Sequence, residues 1–413
     1  MKQISVDILV VGGGPAGLAA AIEARRQGVK RVLLLERDTS LGGILQQCIH
    51  DGFGLKRFGT RLSGGQYAQR FIDEFKVCGA QAMLDTMALE LTKDKTVWAC
   101  SREHGLCEIK CGAVILAMGC RERTASQVLI TGSRPSGVLT AGSVQRYINL
   151  SGYLPGKRAV ILGSGDIGLI MARRMVLEGI EVEGVYEAMP HPGGLTRNIV
   201  QCLDEFHIPL HLSTTVLSVH GKERVTSVTT VQVNEKLDPV PGTEREVKCD
   251  LLVLAVGLIP ENELSRAAGV KLDSRTHGPV VDGNFMTDIP GVFACGNVSV
   301  VFDLVDYVSD SGEQAARGAV RYLASNLEMS CVDVRPGSNV NFCVPQHITA
   351  GEKNRIYLRV QKRMENAVLE AVQGQRVLLR KSLKAALPSE MIVCTVPAET
   401  DCSDAVEICV KEQ

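Results

Sequence analysis

SVDILVVGGGPAGLAAAIEARRQGVKRVLLLER, residues 5–37, decides the fold. SVDILVV is a short apolar run of the kind that forms a central strand of a parallel sheet, covered on both faces. GGGPAG follows and places glycines at 12, 14 and 17. An alanine-rich stretch with helical spacing then runs to Gly28, which predicts a C-cap, and RVLLLE predicts a second strand ending on Glu36. Strand, glycine turn, helix, strand and acid within about 30 residues make a dinucleotide-binding fingerprint. Gly12 permits the tight turn, Gly14 lets the backbone approach a pyrophosphate, and Gly17 lets the helix lie close to the strand. The helix N-terminus presents unpaired N–H groups and a positive dipole end to the anion. Glu36 stands where a carboxylate accepts hydrogen bonds from ribose hydroxyls.

The whole unit recurs further along. RAVILG (158–163) leads into GSGDIG, with glycines at 163, 165 and 168, then LIMARRMVLEG to Gly179, then IEVEGVYE ending on Glu187. Two separate fingerprints point to two different dinucleotides, and hydride transfer between a nicotinamide and a flavin is the use such a pair has. Glu187 suits the free 2′-hydroxyl of NAD and repels a 2′-phosphate. His191 and Arg197 lie just downstream and oppose that preference; NAD is favoured over NADP.

Three more strands end in glycine: AVILAMG (113–119), LLVLAVG (251–257) and GVFACG (291–296). A helix is predicted from about residue 306, in DLVDYVSDSGEQAARGAVRYL. This order implies insertion: a first nucleotide domain over 1–122 and 258–330, interrupted by a second over 123–257. The tail, 331–413, alternates short β-like segments with glycine turns and reads as a small antiparallel domain of about five or six strands. Partner docking or capping of the first domain are the two uses open to it. The expected fold class is α/β, with two Rossmann-like three-layer nucleotide domains and a C-terminal β domain.

Bulk properties agree. The chain has 413 residues, net charge −1, 41 glycines and little aromatic content. A near-neutral balance gives no basic face for nucleic acid. No apolar run reaches the roughly 18 to 20 residues of a membrane span. Lys2 and Gln3 lead straight into a strand, so no secretory signal is expected. Fourteen scattered cysteines in a chain this long read as reduced thiols of a cytoplasmic protein. CxxC is absent, and the spacing of Cys100, Cys107, Cys111 and Cys120 does not match the usual metal knuckles; no metal is expected.

The motifs together resemble the pyridine nucleotide-disulfide oxidoreductase superfamily, over about residues 5–328. The resemblance implies FAD on the first fingerprint, at Gly12, Gly14, Pro15, Ala16 and Gly17, with Glu36 and Arg37. It adds Gly43 of LGG, Ala117 and Gly119 of LAMG, and Gly296 and Asn297 of FACGN. It implies a nicotinamide dinucleotide at Gly163, Gly165, Asp166, Ile167 and Gly168, with Glu187 and Gly257. AMGCRER and TGSRPSGVLTAGSVQRYIN are similar to the α-type subunits of sarcosine oxidase, opine oxidase, hydrogen cyanide synthase and flavin-dependent proline dehydrogenase complexes. GGILQQCIHDGFG and FACGNVSVVFDLVDYVSDSGE resemble a bacterial oxidoreductase that accompanies a glycerol-3-phosphate dehydrogenase-like flavoprotein and a small cysteine-rich protein. That implies an electron-transfer subunit with a companion dehydrogenase of glycerol 3-phosphate or an amino acid, in an oligomer.

Two departures from the superfamily stand out. Its last motif usually has Asp where this chain has Asn297, whose amide oxygen can still accept a bond from the flavin's ribityl hydroxyl. Its redox-active cysteine pair would fall on Leu45 and His50, leaving Cys48 as a single cysteine with His50 close by. Cys48 and His50 are therefore candidate catalytic residues: a lone thiolate or sulfenic acid, and a group that lowers its pKa or moves a proton to the flavin. The alternative for both is structural, as a packed thiol and a hydrogen-bonding imidazole. Two rival functions follow: a self-contained NADH oxidase or peroxidase using Cys48, and a non-catalytic assembly subunit.

Overall fold

The computed structural model describes residues 1–325, 331–402 and 404–413. The chain divides into two compact units. One comprises Met1–Gln46, Asp51–Cys120 and Pro260–Gln413; the other comprises Gln47–His50 and Arg121–Ile259.

In the first unit, the opening strand Lys2–Val11 pairs in parallel with Val32–Leu35 on one side and Gly105–Leu116 on the other. Gln81–Met83 extends the sheet beyond Val32–Leu35, and Val292–Ala294 adds in parallel to Gly105–Leu116. An antiparallel arm, Thr96–Ser101 and Thr86–Leu91, completes it. Ile8, Leu9 and Val10 are fully buried, as the unbroken apolar run requires. The helices Pro15–Arg26 and Val305–Ser325 cross closely because one contact residue is glycine. A Cβ on Gly312 would lie 2.2 Å from the Ala16 carbonyl oxygen.

The second unit has a five-stranded parallel sheet in the order Val138–Thr140, Leu251–Leu254, Arg158–Leu162, Glu181–Tyr186, Leu210–His211. A four-stranded sheet, Thr131–Gly132, Thr214–Gly221, Val225–Gln232 and Arg245–Lys248, packs with it around Val160, Leu162, Val228 and Leu252. The helices Ala141–Asn149 and Asp166–Leu177 contribute Val144, Met171 and Met175 to the core on the parallel sheet.

Two expectations need correction. Gln47–His50 groups with the second unit although its neighbours in sequence belong to the first. The cause is a set of long-range bonds: Gln47 Nε2 donates to the Gly142 carbonyl (2.9 Å) and Gln145 Oε1 (3.0 Å), and Asn149 Nδ2 donates to the Gln47 carbonyl (2.8 Å). Among the described residues the tail holds eight strands rather than about five or six. They form a five-stranded sheet (His347–Thr349, Cys331–Pro336, Val406–Glu412, Met364–Gln373, Arg376–Ala386) and a three-stranded one (Val340–Val344, Asn354–Val360, Ile392–Val396). Segments as short as His347–Thr349 are too brief to show alternation. All pairings are antiparallel except Cys331–Pro336 with Val406–Glu412. The tail groups with the first unit. It has its own apolar cluster around Ile356, Leu358 and Leu369, but Phe342, Val344, Tyr357 and Met391 join the core of the nucleotide sheet. Polar ties add to this: Gln346 N–H donates to the Val281 carbonyl (3.1 Å), Met391 N–H to Asp303 Oδ2 (2.7 Å), and Arg355 Nη1 pairs with Asp310 Oδ2 (2.9 Å). The boundary expected at residue 330 lies outside the described residues.

Candidate functional site

Both fingerprints fold into the same turn, one in each unit. In the first, Gly12 has φ +110°, and a Cβ there would lie 2.4 Å from the Ala117 carbonyl oxygen. A Cβ on Gly17 would lie 1.8 Å from the Gly12 carbonyl oxygen. Around a Cβ position on Gly14 nothing stands within 4 Å, so that face of the turn is open. Gly14 is the N-cap of Pro15–Arg26, and no side chain caps the helix. The first-turn amides are therefore left for an anion, which fits a pyrophosphate. Glu36 is buried, with Oε2 accepting from Gly13 N–H (2.7 Å) and Oε1 from Asp38 N–H (2.8 Å). Each carboxylate oxygen retains a further lone pair for a ribose hydroxyl. Arg37 is exposed.

The other first-fingerprint candidates gather on the same turn. Gly42 N–H donates to the Gly13 carbonyl (2.8 Å), and a Cβ on Gly43 would lie 3.0 Å from Gly14 Cα. A Cβ on Gly296 would lie 2.7 Å from Ala16 Cβ, and Gly296 N–H is held by Ser311 Oγ (2.9 Å). Asn297 Oδ1 accepts from Phe302 N–H (3.1 Å), and its Nδ2 contacts Cys120 Sγ (3.5 Å). The acceptor expected for a ribityl hydroxyl is thus partly engaged, with one lone pair left. Gly119 has φ +76° and its carbonyl accepts from Glu261 N–H (3.0 Å).

In the second unit Gly163 has φ +103° and abuts the Ala255 carbonyl oxygen, which a Cβ would meet at 2.2 Å. A Cβ on Gly168 would lie 2.3 Å from the Gly163 carbonyl oxygen, whereas one on Gly165 would meet nothing within 4 Å. Gly165 caps Asp166–Leu177 without a side-chain bond. Glu187 Oε2 accepts from Ser164 N–H (3.0 Å) and Ser164 Oγ (2.6 Å), and Oε1 accepts from Met189 N–H (3.0 Å). Arg197 is exposed. Gly257 has φ +101°, and its carbonyl accepts from Arg123 N–H (3.0 Å).

Cys48 is buried against Gln145, its Sγ 3.8 Å from Oε1. Burial pushes its thiol up to about 12, so it is protonated at neutral pH. That opposes the thiolate role considered for it, in which His50 would have lowered the pKa; His50 is half-buried. Replacement of Cys48 by Ser is expected to leave the rate of NADH-dependent flavin reduction within about twofold, because a buried neutral thiol packs rather than attacks. A loss of tenfold or more in stopped-flow reduction would reinstate the cysteine chemistry.

Residues that sequence reasoning passed over are Ser164, Gln145, Gly193, Gly194 and Asn198. The two glycines carried a signal: Glu187 is followed by Gly193-Gly194 at the spacing that separates Glu36 from Gly42-Gly43.

Two such turns, each at the end of a parallel strand, define a class of nucleotide-binding enzyme. The profile of the family "Pyridine nucleotide-disulphide oxidoreductase" matches residues 6–322, and the chain belongs to that family. The family is one of pyridine-nucleotide oxidoreductases, and each of the two turns fits the pyrophosphate of a dinucleotide. Hydrogen cyanide synthase subunit HcnB of Pseudomonas aeruginosa is 28% identical over 292 residues, which cover 67% of this chain and 61% of that subunit. An opine oxidase subunit of Agrobacterium tumefaciens is 26% identical over 355 residues, covering 80% of this chain and 67% of that one. The chain thus spans about three fifths of the length of the cyanide synthase subunit it matches. Thioredoxin reductase of T. acidophilum shares the fold, with TM-score 0.63, 24% identity, and coverage of 78% of this chain and 99% of that one. No described helix is long and apolar enough to cross a membrane.

Proposed function

We propose that the protein passes electrons between NAD and a companion dehydrogenase through its flavin. The observation that carries this reading is the duplicated turn. Each unit offers an uncapped helix N-terminus, an open central glycine and a carboxylate tied to the turn's own amide. When both groups are bound, the chemistry they supply is hydride transfer between the nicotinamide and the flavin. The chain's residues bind and orient. Gly12, Gly14 and Gly17 with Glu36 hold FAD, joined by Pro15, Ala16, Gly43, Ala117, Gly119, Gly296 and Asn297. Gly163, Gly165 and Gly168 with Glu187 hold NAD, joined by Ile167 and Gly257. Both oxygens of Glu187 are fixed by backbone and Ser164 donors, so the carboxylate stays put and opposes a 2′-phosphate.

Electron transfer to a partner is favoured over the peroxidase reading by Cys48, whose buried thiol is pushed up to about 12. The relatives are named as subunits, which supports a companion chain. The companions we infer, a flavoprotein dehydrogenase of glycerol 3-phosphate or an amino acid and a small cysteine-rich protein, rest on the resemblance of GGILQQCIHDGFG and FACGNVSVVFDLVDYVSDSGE alone. Among the described residues none of the fourteen cysteines is joined in a disulfide, which suits a reducing, cytoplasmic compartment. The test is anaerobic stopped-flow reduction with each coenzyme. NADH should reduce the flavin at least about tenfold faster than NADPH at equal sub-saturating concentration, the effect of roughly 1.4 kcal/mol of differential binding. Equal rates would contradict the NAD assignment.

A further inference from the structure

The first turn is overlaid by the segment after its acid: Gly42 bonds Gly13, and Gly43 packs on Gly14. The second turn has a counterpart. Gly193 N–H donates to Ser164 Oγ (2.9 Å), where Ser164 occupies the position of Gly13. A Cβ on Gly194 would lie 2.6 Å from Leu169 Cδ1, 2.9 Å from Asp166 Oδ1 and 3.0 Å from the Ser164 carbonyl oxygen, so the segment lies flush on the helix's first turn. Asp166 has no parallel in the first unit. It stands where that unit has Pro15, and its Oδ1 accepts from both Leu195 N–H (2.9 Å) and Asn198 Nδ2 (2.7 Å).

We propose that residues 189–198 are a coenzyme strap, latched onto the second phosphate turn by Asp166, and that this latch sets the affinity for NAD. The proposal rests on the reading of the second turn as the NAD site. Asp166 acts in two opposed ways. Its charge at the first helical position competes with a pyrophosphate for the same dipole end. Its Oδ1 gathers the strap's two donors, which holds Gly193-Gly194 against the turn before the coenzyme arrives and reduces the ordering cost of binding. Asp166 is thus a positioning residue: the strap carries its effect to the coenzyme.

The two effects separate by substitution. Asp166→Asn keeps an acceptor for Leu195 and Asn198 and removes the charge; Asp166→Ala removes both. The measurement is calorimetric titration of the flavin-loaded protein with NAD, with flavin content as a check on folding. Asp166→Asn should bind NAD at least as tightly as the parent, and Asp166→Ala about tenfold more weakly, the loss expected when an ordered segment is freed. Shifts of both variants in the same direction, or an alanine variant within about twofold of the parent, would overturn the latch. If Asp166→Ala fails to load flavin, Asn198→Ala decides: about threefold weaker binding supports the strap, unchanged binding removes it. The parent titration stands apart from these. A parent that takes up no NAD contradicts the functional reading, whereas parent binding with no split between the variants contradicts the strap alone.

Discussion

A Gly17→Ala variant is expected to purify without its flavin. The added methyl would have to occupy a point 1.8 Å from the Gly12 carbonyl oxygen, 3.0 Å from Gly12 carbonyl carbon and 3.3 Å from a Val10 methyl. Two of these contacts are backbone, so no side-chain rotation relieves them. The helix Pro15–Arg26 must move away from the turn, and with it the amides that face the phosphates. Overpacking of this kind costs about 1–3 kcal/mol of stability. The loss of cofactor is larger, because the anion site consists of the spacing between turn and helix. Flavin content, read from the visible spectrum against protein concentration, should fall at least about tenfold. Near-full occupancy would show that the first turn is not where FAD is held.

Gly168→Ala is the same change in the second unit, with the opposite signature. There the methyl meets the Gly163 carbonyl oxygen at 2.3 Å and Ala255 Cβ at 3.0 Å. The variant should remain yellow, because the first turn is untouched, yet bind NAD at least about tenfold more weakly. It should be reduced slowly by NADH and normally by dithionite. Loss of flavin from Gly168→Ala, or unchanged NAD affinity, would remove the division of labour between the turns.

Much of this was legible in the chain because glycine spacing reports backbone geometry directly. Gly12, Gly17, Gly163 and Gly168 each stand where a side chain would meet a carbonyl oxygen, so their spacing leaves few structural alternatives. Unbroken runs such as DILVV and RAVIL likewise permit little besides a buried parallel strand. What stayed hidden depends on side chains far apart in sequence. Gln47 joins the second unit through Gln145, and Asn198 reaches Asp166, and neither pairing leaves a periodic trace. Cys48 was ambiguous for a related reason. Its reactivity is decided by burial, which the sequence around it does not encode. In the tail, His347–Thr349 is too short to show a period.

One polypeptide that binds a flavin and a nicotinamide dinucleotide and passes electrons between them is the centre of this account. Anaerobic titration of the purified protein with NADH, followed by visible absorbance, tests it most directly. The expected result is a yellow protein with about one FAD per chain, bleached by about one equivalent of NADH, since hydride transfer reduces one flavin by two electrons. A colourless protein that takes up no added FAD, or a yellow one whose spectrum NADH leaves unchanged, would contradict it.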